Sequence, residues 1–240
     1  MMKKGAAQKA FNLRAWQRLI TLSVIGGLSS VTVMAASPDQ VKKVIEAEKP
    51  IYLNTLKDLV QIESGSKDIE GLNQIAEVVA ARLKQAGAEV SVEKSAQIYR
   101  MDDTPEQIGP MVKAVLKGKG KSKIMLIAHM DTVYEKGMLK DQPFKIEGDK
   151  AYGLGIIDDK QGVAAILHVI DSLKKLNYQN YGTLTVLMNS DEEISSPASR
   201  QMITQTAQDQ DLVLSFEGGG KEGHLRLATS GIGAAYLDIK

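Results

Sequence analysis

The order of apolar segments predicts an α/β domain, a mostly parallel sheet covered by helices on both faces. Three observations carry that expectation. Stretches with apolar residues at helical spacing alternate with short apolar runs through most of the 240 residues. Several of those runs, "IMLIAH" and "TLTVLM" among them, are apolar without alternation, as strands buried on both faces are. A content of 43% hydrophobic and 25% charged residues belongs to a chain that can bury a sizeable core. Strands separated by helices favour parallel pairing.

The first stretch, "MMKKGAAQKAFNLRAWQRLI", carries Lys3, Lys4, Lys9, Arg14 and Arg18 and no acid, then runs into "LITLSVIGGLSSVTVMAAS". A basic start, an apolar middle and small residues at the end read as a signal peptide over residues 1–36, cut near Ala35 or Ala36. The apolar part is interrupted by Gly26, Gly27, Ser29 and Ser30 and is shorter than the ~20 residues a span needs, so no stable membrane anchor is expected. Export of bacterial type, to the periplasm or beyond, follows. With no cysteine the exported product has no disulfide and relies on its core or on bound metal.

Residues 38–61 place Val41, Val44, Ile45, Leu56, Leu59 and Val60 at helical spacing, with Pro50 as a break or a start. "EGLNQIAEVVAARLKQAG" is a second amphipathic helix with Leu72, Ile75, Val78, Val79 and Leu83 inward and Gly87 as its stop. "AEVSVEK", "PMVKAVLKG" and "KSKIMLIAH" read as strands, the last two joined by the turn "KGKGK". "FKIEGDKAYG" is a hairpin around Gly148 and Asp149; "QGVAAILHVIDSLKKL" is a helix, "GTLTVLMNS" a strand, "SPASRQMITQTAQ" a helix and "DLVLSFE" a strand. "HLRLATSGIGAAYLDIK" reads as two strands and stops inside the second, so the sequence reads as incomplete. No internal repeat is present. The formal charge of +1, from 30 basic and 29 acidic residues, offers no global field for nucleic acid or an anionic membrane.

Three apolar strands end in side chains suited to metal. "IMLIAH" leads to His129 and Asp131, "TLTVLMNS" to Asp191, Glu192 and Glu193, and "LVLSF" to Glu217, while "GIIDDK" sets Asp158 and Asp159 in a glycine-rich loop before a helix. Ligands of open parallel sheets sit at the carboxyl ends of the strands, so separate segments would deliver these groups to one place. Taken one by one, each has a plainer reading. Asp158 or Asp159 caps a helix, the acidic trio is a solvated loop, Glu217 pairs with a lysine and His129 is a satisfied edge histidine. Taken together they suit a hydrolytic zinc or similar divalent site, and the surplus of ligands suggests two ions sharing a bridging carboxylate. Adjacent Glu192 and Glu193 offer one carboxylate to metal and one to a water proton. His168, among Ile166, Leu167, Val169 and Ile170, reads as a core or flank histidine.

With "HMDTVY", "GIIDDKQG", "NSDEE" and "SFE" in that order, the chain from about residue 40 to 240 resembles the M20 family of metallopeptidases, in its glutamate carboxypeptidase branch. The resemblance implies two zinc ions. His129 and Glu217 would bind one, Asp158 would bridge, Glu193 would bind the other, Asp131 would orient His129, and Glu192 would be the general base. It implies a catalytic domain over 37–230, left incomplete, and the start of an inserted dimerisation domain at 231–240, the longer protein being a homodimer. The family's second zinc-binding histidine has no counterpart after Glu217, since His224 reads as a strand residue, and Gln161 stands where relatives often have glycine. The implied activity is hydrolysis of a small peptide or acyl-amino acid at the amide next to a free carboxylate, releasing a C-terminal amino acid, glutamate above others. An amino-acid deacylase of the same family, or an inactive periplasmic binding protein, are the alternatives.

Overall fold

The computed structural model of the protein describes residues 36–95, 97–218 and 226–228. Residues 1–35 of the signal segment, His224, and all but residues 226–228 of the two strands expected near the end of the chain lie outside these residues, and 226–228 are not in a strand. Along the described chain run α1 (Pro38–Val60), α2 (Ile69–Gln85), β1 (Glu89–Glu93), β2 (Met111–Lys117), β3 (Lys123–His129), β4 (Lys145–Glu147), β5 (Lys150–Tyr152), α3 (Gln161–Lys175), β6 (Thr183–Asn189), α4 (Arg200–Gln208) and β7 (Leu212–Ser215).

Five strands form one sheet in the order β1-β2-β6-β3-β7, and β4 and β5 make the expected separate hairpin. The α/β class holds, and the sheet is mixed. β6, β3 and β7 are parallel, whereas β2 runs antiparallel to β6 and β1 antiparallel to β2. The division follows the connections. Parallel neighbours need a crossover element, and α3 lies between β3 and β6 as α4 lies between β6 and β7. Among the described residues no helix separates β1 from β2 or β2 from β3.

The turn "KGKGK" does not close a hairpin, because β6 lies between β2 and β3. Its backbone is bound instead to the segment that leads into β6: Gly118 N–H donates to Gly182 O (2.9 Å), Lys119 N–H to Gln179 O (2.7 Å) and Gly120 N–H to Tyr181 O (2.9 Å).

One face of the sheet, through Val112, Ala114, Leu116, Leu126, Ala128, Leu184, Val186 and Met188, joins the core with Leu59, Ile75, Val79, Leu83, Ile166 and Ile170 of the first three helices. On the other face α4 borders a groove of about 640 Å³ whose floor includes Met111, Val115 and Thr185. Pro50 neither breaks nor starts a helix: α1 continues through it from Pro38 to Val60. A proline removes one backbone bond, but α1 is held on α3 by contacts on both sides of it, with Glu48 bound to His168 and Leu56 and Leu59 in the core. Tertiary packing outweighs the local preference. No helix among the described residues is long and apolar enough to cross a membrane.

Candidate metal centre

The parallel register decides what meets at the carboxyl edge of the sheet. His129 pairs with Asn189 and Ile127 with Ser215, so β3, β6 and β7 end together. The chain beyond each strand then has only a few residues in which to deliver a side chain: His129 itself, Glu192 and Glu193 on a single 3-10 turn (Glu192–Ile194), and Glu217. Asp158 and Asp159 arrive from the Ile156–Lys160 turn before α3, and the peptide bond between them is cis.

His129 is 1% exposed. Its Nδ1 lies 3.0 Å from the backbone oxygen of Asp131 and 3.3 Å from Asp131 Oδ1. Its Nε2 lies 2.9 Å from Asp158 Oδ1 and 3.3 Å from Glu217 Oε1. Ligand atoms of His129, Asp158 and Glu193 fall within 4.8 Å of one another, and so do those of His129, Asp159 and Glu217. The sequence-predicted residues His129, Asp158, Glu193 and Glu217 are therefore gathered at one imidazole. Asp131 lies behind it, and Glu192 lies close enough to feel the charges of His129, Glu217, Asp131 and Asp158.

The neighbouring carboxylates divide their work. Of the Asp158–Asp159 pair, the Asp158 side chain is 61% exposed and turned to the cluster, while Asp159 is wholly buried. Asp159 Oδ2 accepts the backbone N–H of His129 (3.3 Å), and its Oδ1 accepts Gln161 Nε2 (3.3 Å). Gln161 Nε2 also donates to Phe216 O (3.0 Å), which ties the loop to the residue before Glu217. Gly162 must be glycine here, since a Cβ would stand 2.3 Å from Asp159 Oδ1 and 2.5 Å from Phe216 O. In the acidic trio Asp191 is the inward member. It accepts Asn189 Nδ2 (3.1 Å) and the N–H groups of Ala198 (2.7 Å) and Ser199 (3.0 Å), closing the loop that presents Glu192 and Glu193.

This crowding of anions shows in their proton affinities. Burial and the charge of Glu217 push Asp159 up to about 8, and burial with the charge of Asp158 pushes Glu193 up to about 7. Burial also raises Glu192. For His129 burial works downward, but hydrogen bonds and charge from Asp131 and Glu217 prevail and push the imidazole up to about 12. Glu217 is lowered, first by its hydrogen bond to that imidazole. Among the described residues no lysine or arginine forms an ion pair with Asp158, Glu192, Glu193 or Glu217. Several carboxylates and one buried imidazole without a fixed counter-cation are the donor set that a hard or borderline divalent ion fits. The two ligand groups share His129, which is the single imidazole of the cluster among the described residues.

Two contributors escaped the sequence reading. Ser66 Oγ donates to Asp131 Oδ2 (2.8 Å), and "ESGSKD" carries no pattern that announces it. Lys160, 2% exposed, donates through Nζ to Ile62 O and ties the Asp158 loop to the end of α1. Burial pushes its ammonium down to about 8. Although it follows two aspartates in sequence, Lys160 forms no ion pair with either among the described residues and bonds into the domain instead. A cleft of about 560 Å³ opens beside Glu193, lined among others by Lys67, Thr132, Tyr134 and Ile194.

Residues 125–230 match the family described as Peptidase family M20/M25/M40. Carboxypeptidase G2 of Pseudomonas sp. (strain RS-16) is 44% identical over 194 residues, which are 80% of this chain and 44% of that protein. The succinyl-diaminopimelate desuccinylase of Rickettsia canadensis (strain McKiel) is 28% identical over 171 residues, 69% of this chain and 42% of that one. Among solved structures, human carnosine dipeptidase 1 superposes with a TM-score of 0.62 at 20% identity, over 76% of this chain and 41% of the other. The chain spans less than half the length of these relatives.

Proposed function

We propose that this chain, which carries a domain of the M20/M25/M40 peptidase family, belongs to a metal-dependent amide hydrolase of the carboxypeptidase kind. The observation that carries the reading is the meeting of His129, Asp158, Glu193 and Glu217 at the ends of parallel strands with no fixed counter-cation among the described residues. In this reading the cofactor would be a pair of zinc ions, and His129, Asp158, Glu193 and Glu217 would hold them, His129 and Glu217 one ion, Glu193 the other and Asp158 both. Bound ions would lower the pKa of an attacking water and polarise the substrate carbonyl.

The chain's own groups supply the rest. Asp131 holds the imidazole of His129 from behind. Glu192, whose carboxylate is raised toward neutrality by burial and neighbouring anions, takes the water's proton and returns it to the leaving amine. The cleft beside Glu193 takes part of the substrate. Substrates are small peptides or acyl-amino acids, and the product released is a C-terminal amino acid, by the likeness to a carboxypeptidase; glutamate is the amino acid that the motif resemblance implies. The likeness to a desuccinylase supports amino-acid deacylation as the second reading, since one metal site serves both. We place residues 1–36 as an export signal, 37–230 as catalytic domain and 231–240 as the start of a dimerisation domain, with a periplasmic or secreted homodimer as the working form of the longer protein.

The test is elemental analysis of the purified protein together with turnover of an acyl-glutamate, a dipeptide and a succinyl-amino acid. Bound zinc with fastest cleavage of the acyl-glutamate supports the carboxypeptidase reading. Preference for the succinyl substrate moves the assignment to a deacylase, and metal without turnover of any of them leaves a binding protein.

A further inference from the structure

We propose that Ser66 is a positioning residue for His129, acting through Asp131; the proposal rests on the metal-centre reading above. The segment Ser64–Ser66 runs beside Met130–Thr132, outside the named strands. Gly65 and Thr132 form an isolated parallel bridge. Thr132 N–H donates to Ser64 O (2.9 Å), and Ser66 N–H donates to Thr132 O (3.1 Å). The approach is so close that a Cβ on Gly65 would stand 2.2 Å from Tyr134 O.

The two serines flanking that glycine use their hydroxyls differently. Ser64 Oγ donates to the backbone oxygen of Met130 (2.7 Å), a bond between two neutral groups. Ser66 Oγ donates to Asp131 Oδ2 (2.8 Å), with Thr132 O as a distant second acceptor at 3.4 Å. Both serines are buried, Ser64 at 1% and Ser66 at 6% exposed, but only the second bond is charge-assisted and therefore of the stronger kind.

Asp131 is the point on which three parts of the cluster depend. Its Oδ1 accepts the N–H of Glu192 (3.1 Å), and its Oδ2 accepts the N–H of Glu193 (3.1 Å). Its Oδ1 also stands 3.3 Å from His129 Nδ1. The terminal torsion of an aspartate is soft, so the plane of the carboxylate is set by its donors. Ser66 is the only side-chain donor to Asp131 besides the imidazole itself among the described residues. With the N–H of Glu193, its hydroxyl keeps Oδ2 in place and so leaves Oδ1 3.3 Å from Nδ1, beside the backbone oxygen of Asp131, which lies 3.0 Å from the same nitrogen. With Nδ1 engaged, the Nε2 lone pair is presented to the cluster, which is the role of a carboxylate behind a ligating histidine.

The experiment compares zinc affinities of wild type, Ser66→Ala, Ser66→Thr and Ser64→Ala, each measured by competition with a chromogenic chelator, and records melting temperatures alongside. His129→Ala sets the reference for loss of the site. Ser66→Ala should bind zinc about tenfold more weakly, at the low end of the 10–100-fold usual for residues that orient a ligand, and Ser66→Thr, which keeps the hydroxyl, should recover most of that. Ser64→Ala removes a buried hydroxyl bond from the same segment and should lower the melting temperature while zinc affinity stays within twofold of wild type. Unchanged affinity in Ser66→Ala, or an equal fall in Ser64→Ala, would overturn the role given to Ser66 while leaving the metal centre standing. Zinc binding that His129→Ala does not reduce would sink the metal-centre reading and this proposal together.

Discussion

The chain assembles histidine with carboxylates twice, and the two clusters behave differently. At the strand ends His129 meets Asp131, Asp158 and Glu217. Between α1 and α3, His168 Nδ1 lies 2.8 Å from Glu48 Oε2 and its Nε2 lies 2.9 Å from Thr55 Oγ1. Ligand atoms of Glu48, His168 and Asp171 also fall within 4.8 Å of one another, as those of the strand-end trios do. Yet Lys175 is bonded to Glu48, and Arg82 sits 3.3 Å from Asp171 Oδ2 and 3.2 Å from Thr55 Oγ1. Burial pushes Glu48 up, but hydrogen bonds from Lys175 and His168 prevail and hold it below its usual range.

In the helix cluster every charge has an opposite, and a divalent ion would have to displace a lysine and an arginine. In the strand-end cluster burial and a neighbouring carboxylate, Glu217 for Asp159 and Asp158 for Glu193, raise Asp159 to about 8 and Glu193 to about 7, and the charge of His129 offsets this only in part. Proximity of ligand types is the same in both. The balance of fixed charge separates a brace between helices from a candidate metal centre.

The most severe loss should come at the catalytic step, which the helix cluster lacks. Glu192→Gln should keep its zinc and lose roughly 10²–10⁴-fold in turnover, the usual contribution of a general base. Turnover and metal content measured on one preparation decide it, and a variant that loses zinc makes Glu192 a ligand instead. Next comes an exchange of histidines. His129→Ala should lower zinc affinity by more than ~100-fold, beyond the range for groups that only orient a ligand. His168→Ala should leave zinc affinity unchanged and cost about 2–3 kcal/mol of stability, because Glu48 and Thr55 lose a buried partner. Chelator competition and denaturant melts on both variants would reveal a mistaken division if the two effects came out reversed.

The smallest effect sharpens the contrast through pH. Asp159 stands at about 8 against an ordinary 3.8, and Glu193 at about 7 against 4.5. His129 stands at about 12 against 6.5. In each case the folded metal-free protein holds more protons than the unfolded chain, between about pH 4 and 8 for the carboxylates and above 6.5 for the imidazole. The stability these groups contribute is complete below their unfolded values and is lost as pH rises through the folded ones. The metal-free protein should therefore melt at a lower temperature at pH 8.5 than at pH 6, and saturating zinc should shrink the difference. A melting temperature that rises over that interval without metal would show that the cluster is not short of positive charge.

Much of this architecture was legible in residue order. The 3.6-residue period located α2 and α3, the unbroken apolar runs located β3 and β6, and the acids just beyond those runs marked the edge where a site would form. Local periodicity and composition carry such information because they act over a few residues, and the ordered motifs extended it to a family. Strand order was not legible. β2 and β3 are joined by a short turn, yet β6, far along the chain, enters between them, because pairing is decided by which faces bury together. Pro50 read as a break and was carried inside α1 by packing on α3.

Side chains two residues apart read alike and were separated only by the fold: Asp191 turns inward as a loop clamp while Glu193 joins the cluster. Ser66 was invisible because its partner, Asp131, is 65 positions away. Residue order specifies which side chains the chain has available and which strand ends carry them. The tertiary structure decided which of them meet a countercharge and which do not, since charge balance is a property of neighbours in space, and the neighbours here come from distant segments.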